Sequence, residues 1–150
     1  MTVHLFVDES KDRDYLLVAS VHVSGDLDDL RKLMRGLVLR GQRRIHMTKE
    51  SDSRRRAIAA AVCGAGIGAT VYDAGRRYRE ELDARAACLQ GLVADIPPGE
   101  DAIVVLEQDD SLLTWDRRQL FALTRGQQRL RYEHRRAQVE GLLAIPDVIA

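Results

Sequence analysis

Two tight apolar runs organise the chain. Thr2 to Val7 alternates weakly and then turns apolar, and Ile103-Val104-Val105-Leu106 is apolar without a break. Runs of this length, rich in β-branched residues, predict buried strands. Both end in acid: the first enters Asp8-Glu9-Ser10, the second Glu107 and then Asp109-Asp110. Tyr15 to Val23 is rich in Leu, Val and Ala. The short polar link Lys11-Asp12-Arg13-Asp14 makes it the antiparallel hairpin partner of the first strand, across an acidic turn at Asp8-Glu9-Ser10. Ala69 to Tyr72 predicts another strand, and the alternation of Leu130, Tyr132 and His134 a further one.

Helical spacing fills the intervals. Leu27, Leu30, Leu33, Met34, Leu37 and Val38 form one apolar face, with Asp26 as N-cap and Gly41 as the stop. Arg43 to Met47 is a short strand or loop. A second helix starts near Ser51 or Asp52, buries Ala57, Ile58, Ala61 and Val62, and ends in Gly64, Gly66 and Gly68. A long helix runs from Arg76 to Ile96 and is broken by Pro97-Pro98-Gly99. Another, with Leu120 and Leu123, ends near Gly126, and Leu142 to Ile149 closes the chain. Strands alternating with helices predict an α/β fold, and the hairpin makes its sheet mixed. With 150 residues and no repeat or linker, residues 1–150 are expected to form one domain.

Composition narrows the compartment. No apolar run reaches the ~18 residues of a membrane span, and Met1-Thr2-Val3-His4 lacks the basic start of a signal peptide. Cys63 and Cys88 show neither CxxC nor Cys/His spacing and are expected to be small buried hydrophobes. A cytoplasmic protein is expected.

The net charge of zero hides a segregation. From Arg40 to Arg56 there are seven basic and two acidic side chains; from Arg117 to Arg136, seven basic and one acidic; from Glu80 to Asp116, ten acidic and one basic. Arginine supplies 20 of the 23 basic residues, and its planar fork suits phosphate. Arg43, Arg44, Arg54, Arg55 and Arg56 flank His46, while Arg129, Arg131, Arg135 and Arg136 surround the last strand. With one Trp in the chain, stacking platforms for reading single-stranded bases are nearly absent.

If the strands ending in Asp8 and Glu107 are neighbours, both carboxylates converge at one end of the sheet, and Asp147 adds a third. Hard oxygen ligands without cysteine or clustered histidine select Mg²⁺ or Mn²⁺. Such a centre suits phosphodiester hydrolysis. The bland alternative is that each acid caps a turn or helix.

Phe6-Val7-Asp8-Glu9-Ser10 resembles the opening motif of a bacterial and phage family of unknown function, number 3800, whose first strand ends in Asp-Glu-Ser-Gly. Ile45-His46 followed by Lys49-Glu50 and an Arg-rich helix is similar to its mid-chain His motif, and Leu142 to Ala150 to its closing leucine-rich segment with an Asp. The resemblance spans nearly the whole chain in order and implies a ribonuclease H-like fold. It also implies Asp8 as central metal ligand with Glu9 beside it, Glu107 and Asp147 as further acids, and His46 as proton carrier or phosphate contact. Lys11 replaces the family's glycine. At Ala150 the final helix of such a fold has barely begun, so either the sequence is cut short or a partner, such as a second copy, covers that edge. The expected function is a Mg²⁺- or Mn²⁺-dependent nuclease or phosphodiesterase acting on nucleic acid. The rivals are a catalytically silent nucleic-acid-binding or assembly protein of the same fold, and a hydrolase of small phosphate esters.

Overall fold

The computed structural model describes residues 2–11, 14–97, 99–125 and 130–149. Arg129, Gly126 and the Asp12-Arg13 part of the hairpin link therefore lie outside the described residues. The elements run β1 (Val3–Ser10), β2 (Tyr15–Val23), α1 (Leu27–Leu37), α2 (Asp52–Gly64), β3 (Gly68–Gly75), α3 (Glu81–Asp95), β4 (Ala102–Glu107), α4 (Leu113–Leu123), β5 (Leu130–Arg135) and α5 (Ala144–Ile149).

One five-stranded sheet has the order β3-β2-β1-β4-β5. β1 pairs antiparallel with β2, and β2 antiparallel with β3, whereas β1–β4 and β4–β5 are parallel. This is the mixed α/β sheet with an N-terminal hairpin that the pattern predicts. The two apolar runs lie side by side, Val7 opposite Leu106, so the acid that follows each emerges at the same carboxyl end.

Strand periodicity divides the core in two. Leu5, Val7, Leu17, Val104 and Leu106 face α3 and α4, meeting Leu89, Leu92 and Leu120. Phe6, Ile103 and Val105 face the other way and meet Met34 of α1, Ile58 and Val62 of α2, and Ile145 of α5.

Several expectations are corrected. The Asp8-Glu9-Ser10 segment is not a turn; it continues β1, because Leu16, Leu17 and Val18 offer it partners. α1 ends at Leu37 rather than Gly41, and the Asp26 side chain makes no cap bond. Ser51 does cap α2, accepting from the Arg54 amide, but α2 buries Ile58 and Val62 while Ala57 stays exposed. Residues 76–80 are not helical. β3 runs on to Gly75 by pairing with β2, and α3 begins only at Glu81. Cys88 is buried, but Cys63 is exposed near the end of α2. Among the described residues no helix is long and apolar enough to cross a membrane.

Candidate functional site at the carboxyl ends of β1 and β4

In open α/β sheets the crevice beyond the carboxyl ends of parallel strands is where side chains can converge without disturbing the core. Here an open cleft of about 760 Å³ occupies that position, lined by Asp8, His46, Arg44, Arg55, Glu107 and Asp147 among others. Asp8 comes from β1, Glu107 from the end of the neighbouring β4, and Asp147 from α5. The loop before α2 supplies His46. All four side chains singled out for catalysis border one cleft.

Asp8 is strongly perturbed. Burial raises its pKa to about 7; the Glu9 amide, donating to Oδ1 at 2.8 Å, works against this, and the negative charges of Asp147, Glu107 and Glu9 add to the rise. A carboxyl group held partly neutral by burial and by facing acids is a signature of functional sites. The second cleft acid, Glu107, has Arg44 Nη1 at 3.7 Å. Asp147 Oδ2 accepts from the Met47 amide at 2.9 Å, tying α5 to the loop that carries His46. His46 Nδ1 lies 2.7 Å from the Thr48 hydroxyl.

Glu9 also borders the cleft, but its carboxylate is engaged elsewhere. Successive strand residues face opposite sides of a sheet, so Glu9 points toward α3 while Asp8 points toward α5. Its carboxylate accepts from Tyr15 Oη and from Arg85 Nη1, with Lys11 Nζ at 3.3 Å. Behind it lies a buried ionic network that sequence reasoning missed. Arg85 donates twice to Asp116, each bond 2.8 Å, and His134 Nε2 lies 3.1 Å from the same carboxylate. One signal for it was present: Arg85 is the one basic side chain among ten acids from Glu80 to Asp116, on the apolar side of a helix.

The arginines expected to hold nucleic acid divide. Arg44 and Arg55 reach the cleft, although Arg55 also donates to the carbonyls of Met47 and Thr48 and so braces the His46 loop. Arg54 is turned inward, bonded to Glu50 and to the Leu37 carbonyl. Arg135 is held by Glu133 and Glu140. Arg131 sits four residues upstream on β5, toward the opposite end of the sheet, with Asp101 at 3.4 Å. It does not rim the acid cleft. Arg43 borders a separate cavity.

The donor set is all oxygen, which in kind suits a hard dication rather than zinc. Among the described residues, however, no three His, Cys, Asp or Glu side chains form a ready-made ligand cluster.

Comparison with solved structures identifies this architecture. Ribonuclease H2 from Pyrococcus horikoshii OT3 superposes with a TM-score of 0.66 at 11% identity, covering 99% of this chain and 70% of that one. The fold is ribonuclease H-like. Bst-RNase HIII in complex with Mn²⁺ gives a TM-score of 0.56 at 15% identity, and a point mutant of the same enzyme gives 0.56 at 14%. This chain spans about half the length of those two, 50% in each case. No family model and no curated protein matches the sequence, so the likeness to family 3800 rests on its motifs.

Proposed function

We propose that the protein is a divalent-metal-dependent nuclease that hydrolyses phosphodiester bonds of nucleic acid in the cleft beyond β1 and β4. The observation that carries this reading is the shared border of Asp8, Glu107 and Asp147 on one open cleft, with Asp8 electrostatically disfavoured as a bare anion. Acids that border one cleft and raise the pKa of Asp8 make sense when a cation compensates their charge. Asp8, Glu107 and Asp147 are the residues that would hold Mg²⁺ or Mn²⁺. Bound there, the ion would supply Lewis acidity toward the phosphate being cleaved. The ribonuclease H-like fold, and a neighbour solved with Mn²⁺, support the choice of chemistry.

The remaining groups have roles that need only their own atoms. His46 has Nδ1 beside Thr48, and its Nε2, without a partner among the described residues, would contact a phosphate oxygen or carry a proton to the leaving group. Arg44 neutralises charge between Glu107 and an incoming phosphate, and Arg55 fixes the loop. Glu9, engaged by Arg85 and Tyr15, anchors the end of β1 and so orients Asp8.

The test is cleavage of a labelled RNA–DNA hybrid and of duplex DNA with Mn²⁺, Mg²⁺ or EDTA. The reading expects metal-dependent cleavage of at least one, abolished in Asp8→Asn. A second reading has one observation in its favour. Because the described acids are not preassembled as a ligand cluster, the same cleft suits a catalytically silent nucleic-acid-binding protein. Binding of both substrates without cleavage by any metal would select it.

A further inference from the structure

A cavity of about 180 Å³ lies outside the acid cleft, between α1, the loop at 43–45 and the turn at 137–141. Its floor is apolar: Met34, Ile45 and Ala137 are all nearly buried. Its border carries four arginines, Arg31, Arg35, Arg43 and Arg44, against one acid, Glu140. That acid is already committed. It accepts two bonds from Arg31 and one from Arg135, and its carboxylate also takes the Leu142 amide, which fixes the wall of the cavity. Arg35 and Arg43 are exposed and have no ion-pair partner among the described residues.

Size and charge together select the occupant. Coenzyme and drug-sized sites run from ~300 Å³ upward, whereas an apolar cavity of ~150 Å³ holds a single benzene-sized ring. The cavity therefore accommodates one sugar or base and no more. Free guanidinium forks at its mouth match the phosphates on either side of such a unit. Arg44 borders both this cavity and the acid cleft, and its Nη1 stands 3.7 Å from Glu107. A strand crossing the cleft would reach the cavity over that one side chain.

We propose that this cavity is a second nucleic-acid subsite, receiving one sugar or base of a strand whose flanking phosphates lie on Arg35 and Arg43. The proposal rests on the reading of the acid cleft as a nucleic-acid site and specifies the path the strand takes away from it. Neither arginine takes part in the chemistry. Both are surface side chains whose replacement leaves the core intact.

The test is fluorescence anisotropy of a short fluorescein-labelled RNA–DNA hybrid carrying a single-stranded overhang, in EDTA across a salt series. It compares wild type, the double variant Arg35→Gln/Arg43→Gln, and a control double variant Arg117→Gln/Arg118→Gln, whose exposed arginines lie on α4 against the opposite face of the sheet. The cavity variant is expected to bind roughly ten- to a hundredfold more weakly, with a log–log salt slope shallower by about 1.8, the value for two lost phosphate contacts. The control is expected to stay near wild type. Wild-type affinity and slope in the cavity variant, or an equal loss in the control, overturn the subsite. The melting temperature of each variant with and without Mn²⁺ is read in parallel. If the wild type gains nothing from Mn²⁺ while the cavity variant still loses its salt slope, the metal reading fails and the subsite stands.

Discussion

Arg85 of α3 and Asp116 of α4 meet through two parallel 2.8 Å hydrogen bonds in a buried site, with Asp116 only 1% exposed. Burial alone would raise the Asp116 pKa, but bonds from His134 and Arg85 pull it below its ordinary value. The same guanidinium reaches Glu9, so this pair links both helices on one face to the strand that carries Asp8. Removing one partner leaves an uncompensated buried charge. Arg85→Met should lower stability by about 3–5 kcal/mol in urea unfolding. Adding Asp116→Leu should restore part of that loss, because apolar replacement of a buried ion pair is often neutral. No recovery in the double variant would mean that the network does more than neutralise itself.

A second expectation concerns pH. The Asp8 pKa is raised to about 7 in the folded chain, against 3.8 ordinarily. Between these values the folded state binds more protons at Asp8 than the unfolded state, so this group's contribution to stability falls as pH rises from about 4 to about 7. The loss is on the order of 2–4 kcal/mol in metal-free buffer. Asp116 and Glu140 are shifted downward instead, so their contributions disappear only as pH falls below the ordinary carboxylate range. Subtracting the Asp8→Asn profile from wild type isolates Asp8. A flat difference between pH 4 and pH 7 would contradict its raised pKa.

Arg54 and Arg44 should separate by their readouts. Arg54 bonds Glu50 and the Leu37 carbonyl between α1 and α2, so Arg54→Ala should cost about 1–3 kcal/mol and leave the salt dependence of nucleic-acid binding unchanged. Arg44 faces the cleft, and Arg44→Gln should leave stability nearly unchanged while making the salt slope shallower by about 0.9. Thermal melts and binding titrations of both variants check the pair.

These residues also show how much was legible beforehand. Phe6-Val7 and Ile103 to Leu106 read as buried strands because an apolar run bounded by acids permits little else. Their parallel adjacency then brings Asp8 and Glu107 to one end. The start of α3 was not legible. Arg76 to Glu80 is charged almost throughout, and pairing of β3 with β2 up to Gly75 displaces the helix start to Glu81. Nor were the partners of the arginines. Composition treats Arg43, Arg54 and Arg131 alike, whereas only the packed chain puts Arg54 against Glu50, Arg131 near Asp101, and leaves Arg43 at a cavity mouth. That Asp8 and Glu9 face opposite ways was not legible either, because the segment reads as a turn and becomes strand only through pairing with Leu16 to Val18 of β2.

The central claim is that Asp8 belongs to a divalent-cation site. The most direct measurement is the melting temperature of wild type and Asp8→Asn, each with EDTA and with Mn²⁺ near neutral pH. In EDTA, Asp8→Asn should melt at or above wild type, because it removes a carboxylate disfavoured by burial and by Asp147 and Glu107. Mn²⁺ should raise the wild-type melting temperature, by several degrees when the metal stands well above its dissociation constant, and leave the variant unmoved. No rise in wild type, or an equal rise in both proteins, would contradict the account.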